Sequence, residues 1–306
     1  MTKLKTNNYR LITIVGPTAS GKSELAIRLA KKFNGEIISA DSRQVYKNMD
    51  IGTGKITKEE MKGIPHHLLN ITSPKTKFTV VQYRKLALKA IKNIQEKGKL
   101  PILCGGTGFY IQAVVDGMVI PEVPPDWKLR KRLEKKSVKE LYRILKKFDP
   151  KRAKTIEEKN PRRLIRAIEI VKKIGRVPAL KKEPLPYPVL IIGIKKEKKE
   201  LENLIRKRFS RWLKRGFLKE VLKLKNPPAG GGLSWQRIEE FGIHYRIAAQ
   251  YLQDKITDKE MIKSSIIELQ NYAKRQMTWF KRDKRIKWIK NQKKAEKLIK
   301  EFLENT

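Results

Sequence analysis

The chain carries little sulfur and little imidazole: one cysteine, Cys104, and three histidines in 306 residues. A single thiol excludes an internal disulfide framework and fits a reducing cytoplasm. The same shortage leaves too few soft ligands for a structural zinc site. Acids are scarce as well, 31 against 72 lysines and arginines, for a formal net charge of +41. Such an excess points to a polyanionic partner, nucleic acid first, although Lys-Lys pairs on solvated helix faces account for part of it. Apolar runs are short. None approaches a transmembrane span, so no membrane is expected, nor a cleavable signal ahead of the first strand. With 40% hydrophobic residues the chain can still bury a substantial core, in one or two domains. No internal repeat is visible.

What is present is organised around Leu11-Ile-Thr-Ile-Val15 and the run that follows, Gly16, Pro17, Thr18, Ala19, Ser20, Gly21, Lys22 and Ser23. A β-branched run, then G-x-x-x-x-G-K-S, then an apolar-periodic segment reads as strand, phosphate loop and helix. Gly16 and Gly21 allow a tight turn that converges successive N–H groups on an anion, and the helix adds its positive dipole end. Lys22 would reach the outer phosphate, and the Ser23 hydroxyl would sit on Mg²⁺. Leu25, Ala26, Leu29, Ala30 and Phe33 share one helical face, and Asn34-Gly35 supplies a stop. The motif leaves the identity of the phosphate compound open.

Glu36-Ile-Ile-Ser-Ala-Asp41 reads as a second buried strand ending on an acid. In an open parallel sheet Asp41 would point into the crevice, where it could hold a metal or accept a proton; an N-cap of the next turn is the plainer alternative. Phe78 to Ile94 is expected as a helix and Gly98 to Cys104 as a third strand, running into Gly105-Gly-Thr-Gly108. A hydrolytic P-loop enzyme would end that strand in a metal-holding acid; here it ends in Cys-Gly-Gly. The glycines would allow close approach of a ligand, with Thr107 as a donor, or form a simple turn. Pro121-Glu-Val-Pro-Pro125 marks a boundary, after which Asp126 to Lys182 is helical and basic, with 22 Lys and Arg against 7 acids. Arg162 and Arg166 fall on one face for phosphate contacts. Val189 to Ile194 returns to the sheet, Leu201 to Leu224 reads as one helix, and Pro227-Pro-Ala-Gly-Gly-Gly232 as a flexible break. The remainder reads as helical. Its Tyr272-Ala-Lys-Arg-Gln-Met-Thr-Trp-Phe280 stretch interleaves aromatics with cations as RNA surfaces do, although core burial is the commoner fate of such aromatics.

The set Gly-Pro-Thr-Ala-Ser-Gly-Lys-Ser, Asp-Ser-Arg-Gln-Val-Tyr, Asp-Ile-Gly-Thr-Gly-Lys, Pro-His-His-Leu, Gly-Gly-Thr-Gly-Phe-Tyr, Arg-Ala-Ile-Glu and Tyr-Ala-Lys-Arg-Gln-Met-Thr-Trp-Phe resembles the tRNA dimethylallyltransferase (tRNA isopentenyltransferase) family, in order, over about Ile12 to Lys281. The resemblance implies a P-loop-kinase-like α/β parallel sheet core, with a helical insertion domain and C-terminal helices. The expected divisions are 1–121 (core, first part), 122–186 (basic insertion) and 187–306 (core completion and C-terminal helices). It implies transfer of a dimethylallyl group from dimethylallyl diphosphate to N6 of the adenine immediately 3′ of the tRNA anticodon, with Mg²⁺. Asp41 would take the amine proton, Thr18 orient the diphosphate, and Arg208 stabilise its departure. The family's Arg-Val-Asp-x-Met run reads Arg208-Phe-Ser-Arg-Trp212 here, and Asn70 stands where Asp is usual. Residues implied to face the tRNA anticodon stem-loop are Asp41, Ser42, Arg43, Gln44, Thr107, Arg130, Arg162, Arg163, Leu164, Ile165, Arg166, Phe241, Gly242, Ile243, His244, Tyr245 and Arg246. A target adenine flipped into a channel under the insertion is expected, as is a monomeric, cytoplasmic enzyme of bacterial type, since no C-terminal zinc finger follows. Competing readings are a transferase acting on free adenine nucleotides, a small-molecule kinase, and a non-enzymatic RNA-binding protein.

Overall fold

The computed structural model describes residues 9–119, 121, 123–179 and 181–305. The chain divides into two units, Met1–Gly117 with Pro184–Thr306, and Met118–Glu183. The larger unit opens with β1 (Leu11–Val15), α1 (Lys22–Lys32) and β2 (Gly35–Ser39). Both strands are buried along their whole length, as strands covered on two faces must be. Between α1 and β2, Asn34 takes a left-handed conformation that turns the chain back. Gly35 follows because a Cβ there would strike the Leu100 carbonyl. α2 (Lys58–Met61) and β3 (His66–His67) come next, each too short to carry a periodic signal. α3 (Val80–Glu96) begins where Thr79 and Gln82 form a capping box, two residues past Phe78. β4 (Leu100–Gly105) and α4 (Gly108–Val115) complete the first half.

The smaller unit contains β5 (Met118–Val119), α5 (Trp127–Leu133), α6 (Val138–Phe148), α7 (Pro150–Ala153), α8 (Pro161–Ile174) and β6 (Lys181–Lys182). Its limits fall a few residues before 122–186, because β5 and β6 pair antiparallel and close it. It has its own core, with Leu133, Leu141, Leu145, Leu164 and Ile168 all buried.

The larger unit resumes with β7 (Val189–Ile194), α9 (Lys198–Lys214) and α10 (Phe217–Lys225). The single helix expected over 201–224 is therefore two, broken where Gly216 turns left-handed at φ 90°. α11 (Trp235–Glu240), α12 (Ile243–Tyr251) and α13 (Asp258–Phe280) follow. The expected all-helical remainder also holds a strand, β8 (Lys287–Ile289), before α14 (Gln292–Glu304). Its three residues pair with β7, a tertiary rescue that local pattern cannot reveal.

The six strands form one parallel sheet in the order β3-β2-β4-β1-β7-β8. Val15 lies opposite Gly105 and Ser39 opposite Cys104, so the segments leaving β1, β2 and β4 emerge at the same end. Apolar clusters cover both faces: Ile91, Val114 and their neighbours on one side, Leu29, Ala295 and Ile299 on the other. A third cluster joins Val45 and Met49 to Phe209, Phe217, Tyr245 and Leu269. Each fully buried aliphatic side chain contributes about 1.5–3 kcal/mol relative to exposure. No helix among the described residues is long and apolar enough to cross a membrane.

Glu36 is a buried acid in β2, its side chain 2% exposed. Burial pushes its pKa up, but Lys99 at 2.8 Å, His67 at 2.7 Å and Lys97 outweigh burial, and the net shift is downward. Stability from a depressed carboxyl is present above the unfolded value and lost as pH falls through the folded one. Glu36→Gln should lower unfolding free energy by about 1–3 kcal/mol at neutral pH. That deficit should shrink in urea melts run below about pH 4.

Candidate functional site

The phosphate loop leaves β1 with Gly16 at φ 154°, Ala19 at φ 62° and Gly21 at φ 87°. Gly21 caps α1 without any side-chain bond, so the N–H groups of the first turn stay available to an anion. The Ser20 hydroxyl is buried inside the loop with no partner among the described residues. Lys22 Nζ donates to the Pro17 carbonyl at 2.5 Å. Burial, with Arg208 nearby, brings the Lys22 pKa down to about 8, while Cys104 and Asp41 oppose that fall. Ser23 is exposed beside it. This is a cationic, donor-rich cradle for phosphate oxygens.

The loop after β4 packs against protein rather than opening toward a ligand. A Cβ at Gly105 would meet the Ala40 carbonyl, at Gly106 the Gln276 amide, and at Gly108 the Trp279 indole. Gln276, on α13, accepts the Thr18 N–H at 2.8 Å and donates to the Gly106 carbonyl at 2.8 Å. Trp279 is half-buried and Phe280 buried, and both pack against the apolar cluster on that face of the sheet. Thr107 Oγ1 accepts the Ser42 N–H at 3.0 Å. Cys104 ends the strand as an inert thiol, pushed up to about 12 by burial.

Asp41 leaves β2 at the same end. Its Oδ1 accepts the Arg43 N–H at 2.8 Å, so the local turn role is real, and its charge acts on both Lys22 and Arg208. Arg208 reaches in from α9, Nη1 to Thr18 Oγ1 and Nη2 to the Gly54 carbonyl, both at 3.4 Å. Its guanidinium lies 4.9 Å over the Trp212 ring. The Asp50-Ile-Gly-Thr-Gly-Lys55 loop is shaped around it: a Cβ at Gly54 would collide with the guanidinium, and one at Gly52 with Phe217 and Tyr245. Gln44 ties into the same loop through the Gly54 carbonyl at 3.3 Å.

Two side chains with no role assigned from sequence, one of them the lysine of the Asp-Ile-Gly-Thr-Gly-Lys motif, fix that loop. Glu220 accepts the N–H groups of Asp50, Ile51 and Gly52 at 2.7, 2.7 and 3.0 Å, and the Tyr245 hydroxyl at 2.7 Å. The only clue was an acid inside the lysine-rich run 217–225. Lys55, 3% exposed, donates to the Tyr46 carbonyl, Asp50 and Asn70 at 2.7, 2.7 and 2.6 Å. Asn70 thus serves as a neutral acceptor, in a left-handed turn at φ 56° that asparagine tolerates. The 241–246 segment needs correction. Phe241 and Tyr245 are buried at 3% and 1%, packed in the core rather than facing tRNA. His244 is a clamp: Nε2 donates to the Gly52 carbonyl, and the ring lies 4.9 Å from Trp212. Gly242, Ile243 and Arg246 reach the surface in part or fully.

A family model for IPP transferases matches residues 44–283. The chain belongs to the IPP transferase family. It is 39% identical over 301 residues to a tRNA dimethylallyltransferase from Acetivibrio thermocellus, covering 95% of each chain. An Anoxybacillus flavithermus tRNA dimethylallyltransferase is 41% identical over 284 residues, covering 92% and 90%. A crystal structure of the tRNA isopentenylpyrophosphate transferase from Bacillus halodurans aligns at TM-score 0.72 and 37% identity, over 97% of both chains. A eukaryotic dimethylallyltransferase acting on tRNA aligns at TM-score 0.75 and 30% identity, over 88% of this chain and 69% of that one.

In the smaller unit of this IPP transferase, the Arg166-Ala-Ile-Glu169 run is an ion pair one helical turn apart. Glu169, its side chain 1% exposed, also accepts from Arg130 Nη2 at 2.7 Å and the Asp126 N–H at 2.6 Å. Arg166 further donates to the Val123 carbonyl at 2.9 Å. Leu164 and Ile165 are buried in the unit's core at 0% and 6%, which corrects their expected RNA contact. Arg162 and Arg163 are exposed, Arg163 pairing with Glu157 at 2.9 Å.

Protonating His244 would strand a charge, because Nδ1 is buried without an acceptor among the described residues. Burial, with Arg208 and Arg43 nearby, carries its pKa from 6.5 to about 4 even though the Gly52 carbonyl opposes the fall. The unfolded chain therefore binds the proton first, and stability drops as pH falls from 6.5 toward 4. The wild-type unfolding free energy should lose about 3 kcal/mol more than that of His244→Gln across this window. Denaturant titrations at pH 7.5, 6, 5 and 4 compare the two slopes.

Proposed function

We propose that this chain is a tRNA dimethylallyltransferase, moving the dimethylallyl group of dimethylallyl diphosphate to N6 of the adenine immediately 3′ of the anticodon and releasing diphosphate. The observation that carries the reading is the meeting of a phosphate cradle and a carboxylate at one sheet end. Asp41 acts electrostatically on both Lys22 and Arg208. The strand that would supply a hydrolytic acid ends in Cys104-Gly105 instead.

In the reaction the N6 lone pair attacks the terminal allylic carbon, the carbon–oxygen bond breaks, and the diphosphate leaves with the bonding pair. The N6 proton passes to Asp41. An exocyclic amine is a weak nucleophile, so positioning and stabilisation of the leaving group supply most of the acceleration. Lys22, the loop N–H groups and Arg208 bear on the departing charge, each worth about 10²–10³ in rate if it acts as such donors do elsewhere. Thr18, hydrogen-bonded to Arg208, orients the diphosphate end. Mg²⁺ takes few protein oxygens and several from substrate phosphates. The exposed Ser23 hydroxyl on the first turn of α1 fits that requirement, and the ion would supply charge neutralisation at the diphosphate. Arg43, Arg246 and the arginines of the smaller unit are candidates for the RNA backbone in a cytoplasmic reaction.

Asp41→Asn keeps the acceptor for the Arg43 N–H but cannot take a proton. Its kcat should fall by about 10²–10⁴-fold with the dissociation constants of both substrates near wild type. Mass spectrometry of nucleosides from treated tRNA establishes the product, and single-turnover rates across a Mg²⁺ titration separate the roles. Recovery of the wild-type rate at high Mg²⁺ would make Asp41 a metal ligand instead of the base.

A further inference from the structure

The larger unit contains a cavity of about 670 Å³ whose lining includes neither the phosphate loop nor Asp41 nor Arg208. Its apolar lining includes Ile51, Leu224 and Leu233. Four cations also line it: Lys75, Arg215, Lys219 and Lys223. Among the described residues none of the four forms an ion pair, in a chain where many other lysines and arginines do. The two acids in the lining are already committed. Asp50 pairs with Lys55, and Glu220 receives three backbone N–H groups and the Tyr245 hydroxyl.

The Pro227–Gly232 stretch closes one side. Gly230 and Gly231 both hold positive φ, and Lys75 Nζ lies 3.1 Å from where a Gly231 Cβ would sit. A side chain at either glycine would be strained, and at Gly231 it would push the ammonium away. Unpaired cations around an apolar floor suit a nucleotide, with the base against the hydrocarbon and the phosphate among the cations. Simple lysine solvation accounts for neither the concavity nor the meeting of Lys75 with the cations of the 215–223 stretch.

We infer that this cavity is a docking site for a phosphodiester-linked nucleotide of the tRNA, separate from the site of prenyl transfer. The inference rests on the tRNA reading above for the identity of the polymer. Glu220 links the two places, since the helix that presents Lys219 and Lys223 to the cavity also holds the loop whose Gly54 carbonyl receives Arg208.

The test measures tRNA binding by wild type and by the Arg215→Ala, Lys219→Ala, Lys223→Ala triple variant across a salt series. The triple variant should bind tRNA about tenfold more weakly near 0.1 M salt, and its log–log salt slope should fall by roughly one per lost phosphate contact. The dissociation constant for dimethylallyl diphosphate should be unchanged. A second variant, Lys219→Glu with Lys223→Glu, should weaken tRNA binding further. A comparison variant, Lys290→Ala with Lys293→Ala and Lys294→Ala, removes as much exposed charge beside α14 and should leave both the tRNA constant and the slope at wild type. Equal losses in the comparison variant would reduce the effect to net charge and overturn the inference. So would unchanged tRNA binding in both cavity variants, or a cavity that takes AMP while tRNA binding ignores the mutations. Prenyl transfer by the wild-type enzyme is read separately in the nucleoside assay, so failure here is distinguishable from failure of the activity itself.

Discussion

The reaction end of the sheet depends on one side-chain amide. Gln276 sits 6% exposed on α13 and joins the loop after β1 to the loop after β4 through two 2.8 Å bonds. The task requires an acceptor and a donor about two ångströms apart on one rigid plane, which glutamine provides. A glutamate would lose the donor and set a negative charge against the place where diphosphate oxygens would collect. Gly106 is glycine because this amide occupies the space of its side chain. The phosphate loop is therefore held in shape by residues about 260 positions away, and its conformation is a property of the whole larger unit.

A second constraint works on the Asp50–Lys55 loop. Here backbone groups are gripped from both sides: Glu220 collects three N–H groups, and His244 donates to the Gly52 carbonyl. Lys55 secures the far end against three acceptors. A loop so fully engaged has little freedom, and the Gly54 carbonyl it presents to Arg208 stays fixed. Aromatic packing continues the chain, since Trp212 lies beneath the guanidinium and against the His244 ring. Preorganisation of Arg208 thus comes from a network in which no member is itself a phosphate ligand.

Much of this was legible in the sequence. The strand, phosphate loop and first helix announced themselves because glycine spacing, β-branched content and periodicity agreed over Leu11–Lys32. Asp41 followed from the rule that ligands gather at the carboxyl ends of parallel strands. What stayed hidden was tertiary. β8 has three residues and exists only because β7 needs an edge partner. Glu220 looked like one acid in a basic helix, and its role requires three backbone donors from a loop 170 residues earlier. The resemblance implied tRNA contacts for Leu164, Ile165, Phe241 and Tyr245, although the side chains turn inward. Arg130 and Arg166 show a related limit. A count of cations cannot tell which are held by a buried carboxylate such as Glu169.

Cys104 gives the fold an internal reporter. It is the chain's sole cysteine, 7% exposed at the end of β4 with its thiol pushed up to about 12. Thiolate, not thiol, is the attacking species toward alkylating reagents, so the folded protein is chemically silent to them. Its Cα neighbours Ile14 and Ser39 on the flanking strands. Labelling at Cys104 would therefore clock the separation of the central strands, and a cysteine introduced anywhere on the surface would be the single site to take a probe.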